Sequence, residues 1–225
     1  MKRINLYVFP ILLILNVMAI SAHSTIVYDN TTTSLGYLTP ILTGSSFTGD
    51  TSYEAGDQIT LASTERSVTE IDILISSAFA TGGTADAQVR FYENDGTGGK
   101  PGTILWDSGV LNDLPYVPGA NTFTFIVPHA VVPDTFTWTI YLSGRTGSAV
   151  IGYMGPQFYN PPTVGSSNDF IWAFDGTSWN SFNDPQLVDN YAARVSAVPE
   201  PATMLLLGSG LIGLAGYGRK KFFKK

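Results

Sequence analysis

The stretch Thr135-Phe136-Thr137-Trp138-Thr139-Ile140-Tyr141-Leu142 alternates apolar and polar residues without a break. A period of two is the signature of a β-strand buried on one face. Phe136, Trp138, Ile140 and Leu142 point one way, and three threonines with Tyr141 point the other. β-branched threonines and aromatic rings favour the pleated backbone further. The pattern recurs on both sides of this stretch. Ile71, Ile73 and Ile75 form an apolar face opposed by Glu70, Asp72 and Leu74; Ala87, Val89 and Phe91 form a second, and Phe123, Phe125 and Val127 a third. Shorter candidates are 26–28, 58–62, 104–107, 149–154, 170–174 and 191–195.

Turn chemistry separates these runs. Thr81-Gly82-Gly83-Thr84, the segment from Asn94-Asp95-Gly96 to Pro101-Gly102, Pro118-Gly119-Ala120-Asn121 and Asp175-Gly176-Thr177 all carry the residues that tight turns demand. No stretch between the two ends has helical periodicity with caps, and no internal repeat is evident. About ten short strands with one-sided burial predict an all-β, antiparallel, jelly-roll-like β-sandwich over residues 25–197.

The composition agrees with this. The chain has 225 residues, with 44% hydrophobic and only 13% charged, so it can bury a core. Charge is distributed unevenly. Between the two basic ends lie five of the 12 basic residues (Arg66 to Arg194) and 17 of the 18 acidic ones (Asp29 to Asp189), leaving the middle at about −12. A domain this acidic cannot neutralise a phosphate backbone, which argues against nucleic-acid binding. Cysteine is absent, which removes thiol nucleophiles, cysteine-type zinc sites and lipid attachment at a cysteine.

The first 24 residues read as a secretory signal peptide. Lys2 and Arg3 precede an apolar run from Leu6 to Ile20, followed by the small residues Ala19, Ser21, Ala22 and Ser24. Cleavage after Ser24 fits the small-residue rule, with cleavage after Ala22 or Ser21 as the competitors. Signal peptidase is the partner this segment requires.

Residues 198–225 have three parts in order: Val198-Pro199-Glu200-Pro201, an apolar block over 202–218, and a basic end. The block contains Met204-Leu205-Leu206-Leu207 and Leu211-Ile212-Gly213-Leu214-Ala215. As a helix it would rise about 25 Å, the short end of a bilayer span. Arg219, Lys220, Lys221, Lys224 and Lys225 would stop transfer and remain cytoplasmic. This predicts a single transmembrane helix with the domain outside and the tail inside. The three parts resemble the PEP-CTERM sorting domain of Gram-negative bacteria. That resemblance implies an exosortase as processing partner, acting near Pro199, Glu200 and Pro201. It also implies an inner-membrane-anchored precursor facing the periplasm, later at the cell surface or outside, in bacteria that make exopolysaccharide and biofilm.

The middle also resembles the exported choice-of-anchor β domains. The residues that carry this are Ile26-Val27-Tyr28-Asp29-Asn30, Gly56-Asp57-Gln58-Ile59-Thr60-Leu61, Val89-Arg90-Phe91-Tyr92-Glu93-Asn94-Asp95-Gly96 and Pro101-Gly102-Thr103-Ile104-Leu105-Trp106. The resemblance implies an outward-facing module and supplies no catalytic residues.

Candidate sites are few. His23 lies at or before the cleavage point, and His129 is the sole candidate base in the domain, with no nucleophile motif beside it. No catalytic residue is assigned, the expectation is that the protein is not an enzyme, and a secreted hydrolase is the weaker alternative. The loop Glu93-Asn94-Asp95-Gly96-Thr97-Gly98-Gly99 offers oxygen atoms for calcium but lacks the spacing of a known calcium loop, so a tight glycine turn is expected there and no cofactor or metal. Phe158, Tyr159, Trp172, Phe174, Trp179 and Phe182 cluster among asparagines. Core packing is the first expectation for them, with Trp172 and Phe174 on a buried strand face. Trp179 with Asn180 is the candidate glycan contact, since pyranose rings stack on aromatics and asparagine bonds their hydroxyls.

Overall fold

The computed structural model describes residues 23–45, 50–148, 150–183, 190–200 and 208–213. The signal segment before His23, the apolar stretches 201–207 and 214–218, and the basic cluster from Arg219 to Lys225 lie outside the described residues. Residues 208–213 are helical, and among the described residues no helix is long and apolar enough to cross a membrane.

Among the described residues, fifteen strands build the domain. They are β1 (Thr25–Asp29), β2 (Ser34–Leu38), β3 (Leu42–Gly44), β4 (Thr51–Ser52), β5 (Glu54–Thr60), β6 (Ser67–Ser77), β7 (Gly83–Tyr92), β8 (Ile104–Asp107), β9 (Leu111–Tyr116), β10 (Gly119–Val131), β11 (Thr135–Ser143), β12 (Gly152–Tyr159), β13 (Ser166–Phe174), β14 (Trp179–Phe182) and β15 (Ala193–Val198). All pairings are antiparallel, as expected for an all-β chain.

They form two sheets. The first runs β1-β15-β6-β12-β3-β4, with β10 on the other side of β6 and β2 on β12; the second runs β14-β13-β5-β11-β7-β8, with β9 also on β7. The chain changes sheet at β4–β5, β5–β6, β6–β7, β9–β10, β10–β11, β11–β12, β12–β13 and β14–β15. One apolar core lies between the sheets. Ile71, Ile73, Ile75, Phe123 and Phe125 enter it from the first; Phe136, Trp138, Ile140, Val89 and Phe91 enter it from the second. The three expected apolar faces and that of β11 all point into this interior, joined by residues of β1, β3, β5, β12, β13 and β15.

The other face of β11 differs from a plain solvated surface. Thr137 and Thr139 are fully buried. Thr137 donates to Asn94 Oδ1 at 2.7 Å, and Thr139 donates to Glu54 Oε1 at 2.5 Å. The 93–103 turn and the neighbouring strands cover them, so the threonines satisfy side chains that would otherwise be orphaned. On the inner face, Asp57 sits opposite Trp138, wholly buried, and accepts from the Tyr191 N–H at 3.1 Å.

Chain direction divides the sandwich into two ends. Thr25, Ser67, Val131, Thr135 and Val198 lie at one end, which the connections 61–66 and 132–134 close. Ser77, Gly83, Gly119 and Ser143 lie at the other, with the 175–178 turn. The edge strand β10 carries a bulge between Ile126 and Ala130, where Pro128 and His129 (φ 57°) interrupt the ladder. Such a kinked edge with a proline resists pairing with a second chain.

Candidate functional site

Three regions hold the candidate residues. The first is the junction between β15 and the Pro-Glu-Pro triplet. β15 is an interior strand, bonded to β1 on one side and β6 on the other. Ala197 lies opposite both Thr25 and Val68, and Val198 lies opposite Ser67. Ala193, Val195, Ala197 and Val198 are buried, which holds the strand down. Arg194 pairs with Asp72 at 2.6 Å, and Thr124 donates to the same carboxylate at 2.6 Å. The Asp72 carboxylate beside it raises the Arg194 pKa further above its ordinary value. Pro199 follows Val198 directly and is half-buried, as is Glu200; Pro201 falls outside the described residues. The start of the domain meets the same place, since Ser24 Oγ lies 3.1 Å from Thr69 Oγ1 and Thr69 bonds the Ser196 carbonyl at 3.2 Å.

The second region is the β13–β14 hairpin. One carboxylate makes its turn. Asp175 accepts from the Thr177 hydroxyl at 2.7 Å, the Thr177 and Ser178 N–H groups at 2.9 and 2.8 Å, and the Asn180 amide at 2.9 Å. These donors, the Thr177 hydroxyl first, hold the Asp175 carboxyl well below the usual carboxylate range. Gly176 at φ 94° completes the turn in a conformation that side chains resist.

Trp179 is half-buried. Its ring packs edge-on against Tyr92 at 5.4 Å and tilted against Phe174 at 5.1 Å, while Lys100 donates to its carbonyl at 2.7 Å. Asn180 points from the opposite side of the strand. It lines a cleft of about 380 Å³ with Ile171, Ala173, Phe174, Phe182 and Tyr53. Trp179 and Asn180, adjacent in sequence, are thus separated by the pleat. Phe182, 54% exposed, joins Asn180 on the cleft side. Trp179-Asn180-Ser181-Phe182 is apolar at both ends and polar between, so no period of two marked this strand in the sequence.

Trp172 meets its expectation in burial and differs in which face it occupies. It is buried, yet it lies on the outer face, opposite Gly56, edge-on to Phe170 at 5.3 Å. Ile171 and Ala173 face the core instead, and Phe174 is half-buried. The aromatic residues of β13 therefore cover the outside of the sheet, because the register with β5 turns Ile171 and Ala173 inward.

The third region is the polar outer face of the second sheet. Glu54 there accepts from Arg90, Tyr92 and Thr139. Burial, and then the Glu54 charge, push the Tyr92 hydroxyl up. Arg90 also meets Asp107 at 2.9 Å. Burial alone would raise the Asp107 pKa, but bonds from Gln88, the Gly109 N–H and Arg90 lower it.

His129 lies exposed on the β10 bulge with Nδ1 3.4 Å from Ser67 Oγ, and Ser67 itself is fully buried. In the 93–103 turn, both Asp95 oxygens face Thr103, at 2.7 Å from its N–H and 2.7 Å from its hydroxyl, which lowers the Asp95 pKa. Asn94 is taken by Thr137. Among the described residues no group of three histidine or acidic side chains is placed to hold a metal.

No curated protein matches the chain, and no solved structure does. The model of the PEP-CTERM protein-sorting motif matches residues 197–220. The match begins on the last buried residues of β15 and runs through the triplet and the apolar block. The chain therefore carries a PEP-CTERM protein-sorting motif, which indicates an exported protein, anchored at the membrane until an exosortase processes it.

Proposed function

We infer that this is a non-catalytic protein of the cell surface or extracellular matrix. Its precursor has its signal peptide removed and spans the inner membrane through 202–218, with the sandwich in the periplasm. An exosortase then processes it at Pro199-Glu200-Pro201, and the released or transferred domain associates with exopolysaccharide. The observation that carries this reading is the sorting motif at 197–220, placed directly behind a folded β domain. The non-catalytic part is supported by Ser67: the hydroxyl that meets the candidate base His129, at 3.4 Å, belongs to a fully buried residue.

The intact mass of the protein recovered from outside its own cells tests this. The expected mass lacks the leader and everything beyond the triplet. A mass that retains 202–225 would show a lasting membrane anchor and remove the sorting step.

A second reading, a carbohydrate-binding adhesin, is favoured by the hairpin cleft. Exposed Phe182 offers a ring face, and Asn180, its amide N–H held by Asp175, lines the cleft beside it. The absence of any cation among the lining residues and the acidity of the domain point to neutral sugars. Binding of the processed protein to a glycan array tests it, and no retention on any bacterial polysaccharide would remove it.

A further inference from the structure

We propose that the end of the sandwich bearing Val198 is a contact surface for the enzyme that cuts the sorting motif. The proposal rests on the exosortase reading above and concerns how the domain and that enzyme meet.

There is no linker. Val198 is the last residue of β15, and Pro199 opens the triplet. An extended residue advances the chain by at most about 3.6 Å, so the three residues of the triplet reach about 10 Å from the domain. That is roughly the diameter of one helix with its side chains. An enzyme holding the triplet in a cleft therefore touches whatever surrounds Val198.

β15 cannot pay out chain to relieve this. It is bonded on both edges, with Ala197 between Thr25 and Val68 and Val198 beside Ser67. Its inward residues are part of the core. Extending the reach by even two residues would uncover Ala197 and open the sheet beside the edge strand β1.

The surface at that end has a defined character. Val131 lies opposite Ser67 on β10, on the far side of Ser67 from Val198, and is 53% exposed. Ile26, opposite Ser196 on β1, is 42% exposed. These apolar side chains flank the exit point of the chain on its two sides. Around them are Glu65, Glu70 and Asp134, with Arg66 already engaged by Asp134 at 2.6 Å. An acidic rim is repelled by a leaflet of anionic lipid. Apolar side chains with a polar rim instead match the anatomy of a protein–protein contact.

The test follows processing of the full-length chain in its own cells by pulse-chase. Val131→Glu and Ile26→Glu place a charge in the contact at exposed positions, and each is paired with a version carrying a flexible twelve-residue Gly/Ser insert between Val198 and Pro199. The expected result is processing slowed about tenfold or more by either substitution and restored by the insert, with unchanged melting of the domain. The insert alone, which leaves every strand untouched, is expected to be processed at the wild-type rate or somewhat more slowly. Substituted chains processed as fast as wild type would overturn the proposal while leaving the exosortase reading intact. So would slow processing that the insert does not relieve. A wild-type chain that is never cut would overturn both. Flotation of the processed wild-type protein with phosphatidylglycerol vesicles, lost in processed Val131→Glu, would assign the face to lipid and overturn the contact with the enzyme.

Discussion

Arg90 donates to Glu54 at 2.5 Å from the adjacent side of β11, reaching across the buried hydroxyl of Thr139 that bonds the same carboxylate. Glu54 is only 7% exposed, so its charge is stabilised by these donors rather than by water. The pair ties β5 to β7 over the central strand of the sheet.

Glu54→Ala leaves Arg90, Tyr92 and Thr139 without their common acceptor. Breaking a largely buried pair by removing one partner costs about 3 kcal/mol. Glu54→Gln keeps one oxygen acceptor and is expected to cost less. Denaturant unfolding of the processed protein measures both, and a loss under about 1 kcal/mol for Glu54→Ala would mean that water replaces the carboxylate.

Gly56→Ala is expected to destabilise the domain by about 3 kcal/mol, as overpacking does in a site that cannot relax. A methyl group there would stand 1.9 Å from the Trp138 carbonyl oxygen and 2.7 Å from Thr139 Cα, both backbone atoms of the neighbouring strand. β5 lies between β11 and β13 and has no free side to move toward. Gly176→Ala is the control. Its methyl meets open space, so the cost is only that of φ 94°, about 1 kcal/mol.

Acid weakens the fold in a defined window. Asp95, Asp107 and Asp175 all have folded pKa values below the ordinary carboxyl value. In that case the unfolded chain binds more protons once the pH falls to about 4, the unfolded carboxyl pKa. Their stabilisation is fully present above that value and is lost as the pH falls through the lower folded values. Melting temperature is therefore expected to be nearly flat in these groups from pH 7 to 5 and to fall below about pH 4. Asp175→Asn should make that fall shallower, and an unchanged profile would show that the turn carboxylate does not contribute.

If the hairpin cleft holds a sugar ring, Phe182→Ala is expected to weaken glycan binding up to about tenfold, the scale of one aromatic stacking contact. Trp179→Ala, on the other side of the strand, should chiefly lower the melting temperature by removing the contacts with Tyr92 and Phe174. A binding loss from Trp179→Ala alone, with no change in melting, would place the contact at Trp179 instead.

The sandwich was legible where alternation was long. Phe136 to Leu142, Ile71 to Ile75 and Phe123 to Val127 sit in the core as the period of two demands. Strands β2, β3, β4, β9 and β14 were not legible, because they are two to six residues long and their pairing is decided by neighbours far away in the chain. Several boundaries moved for the same reason: the strand expected over 149–154 is β12, Gly152–Tyr159. Alternation also says which residues share a face, but not what covers it. Thr137 and Thr139 point away from the core as expected, yet the 93–103 turn and Glu54 bury them. Trp172 was expected on a buried strand face and is buried, but register with Gly56 sets it on the outer face of its sheet. At the candidate sites, the Pro-Glu-Pro triplet was legible because its signal is linear. The convergence of Thr25 with Ala197, and of Asn180 with Tyr53, depends on contacts that no local pattern contains.

The interior position of β15 also decides how the domain bears mechanical force. A pull on Pro199 acts along the axis of β15, whose ladders to β1 and β6 run side by side along the strand. Against a load held at the far end of the sandwich, those hydrogen bonds are sheared together rather than peeled one at a time. The strand that leads to the tail thus resists tearing along its axis better than an edge strand such as β1 would.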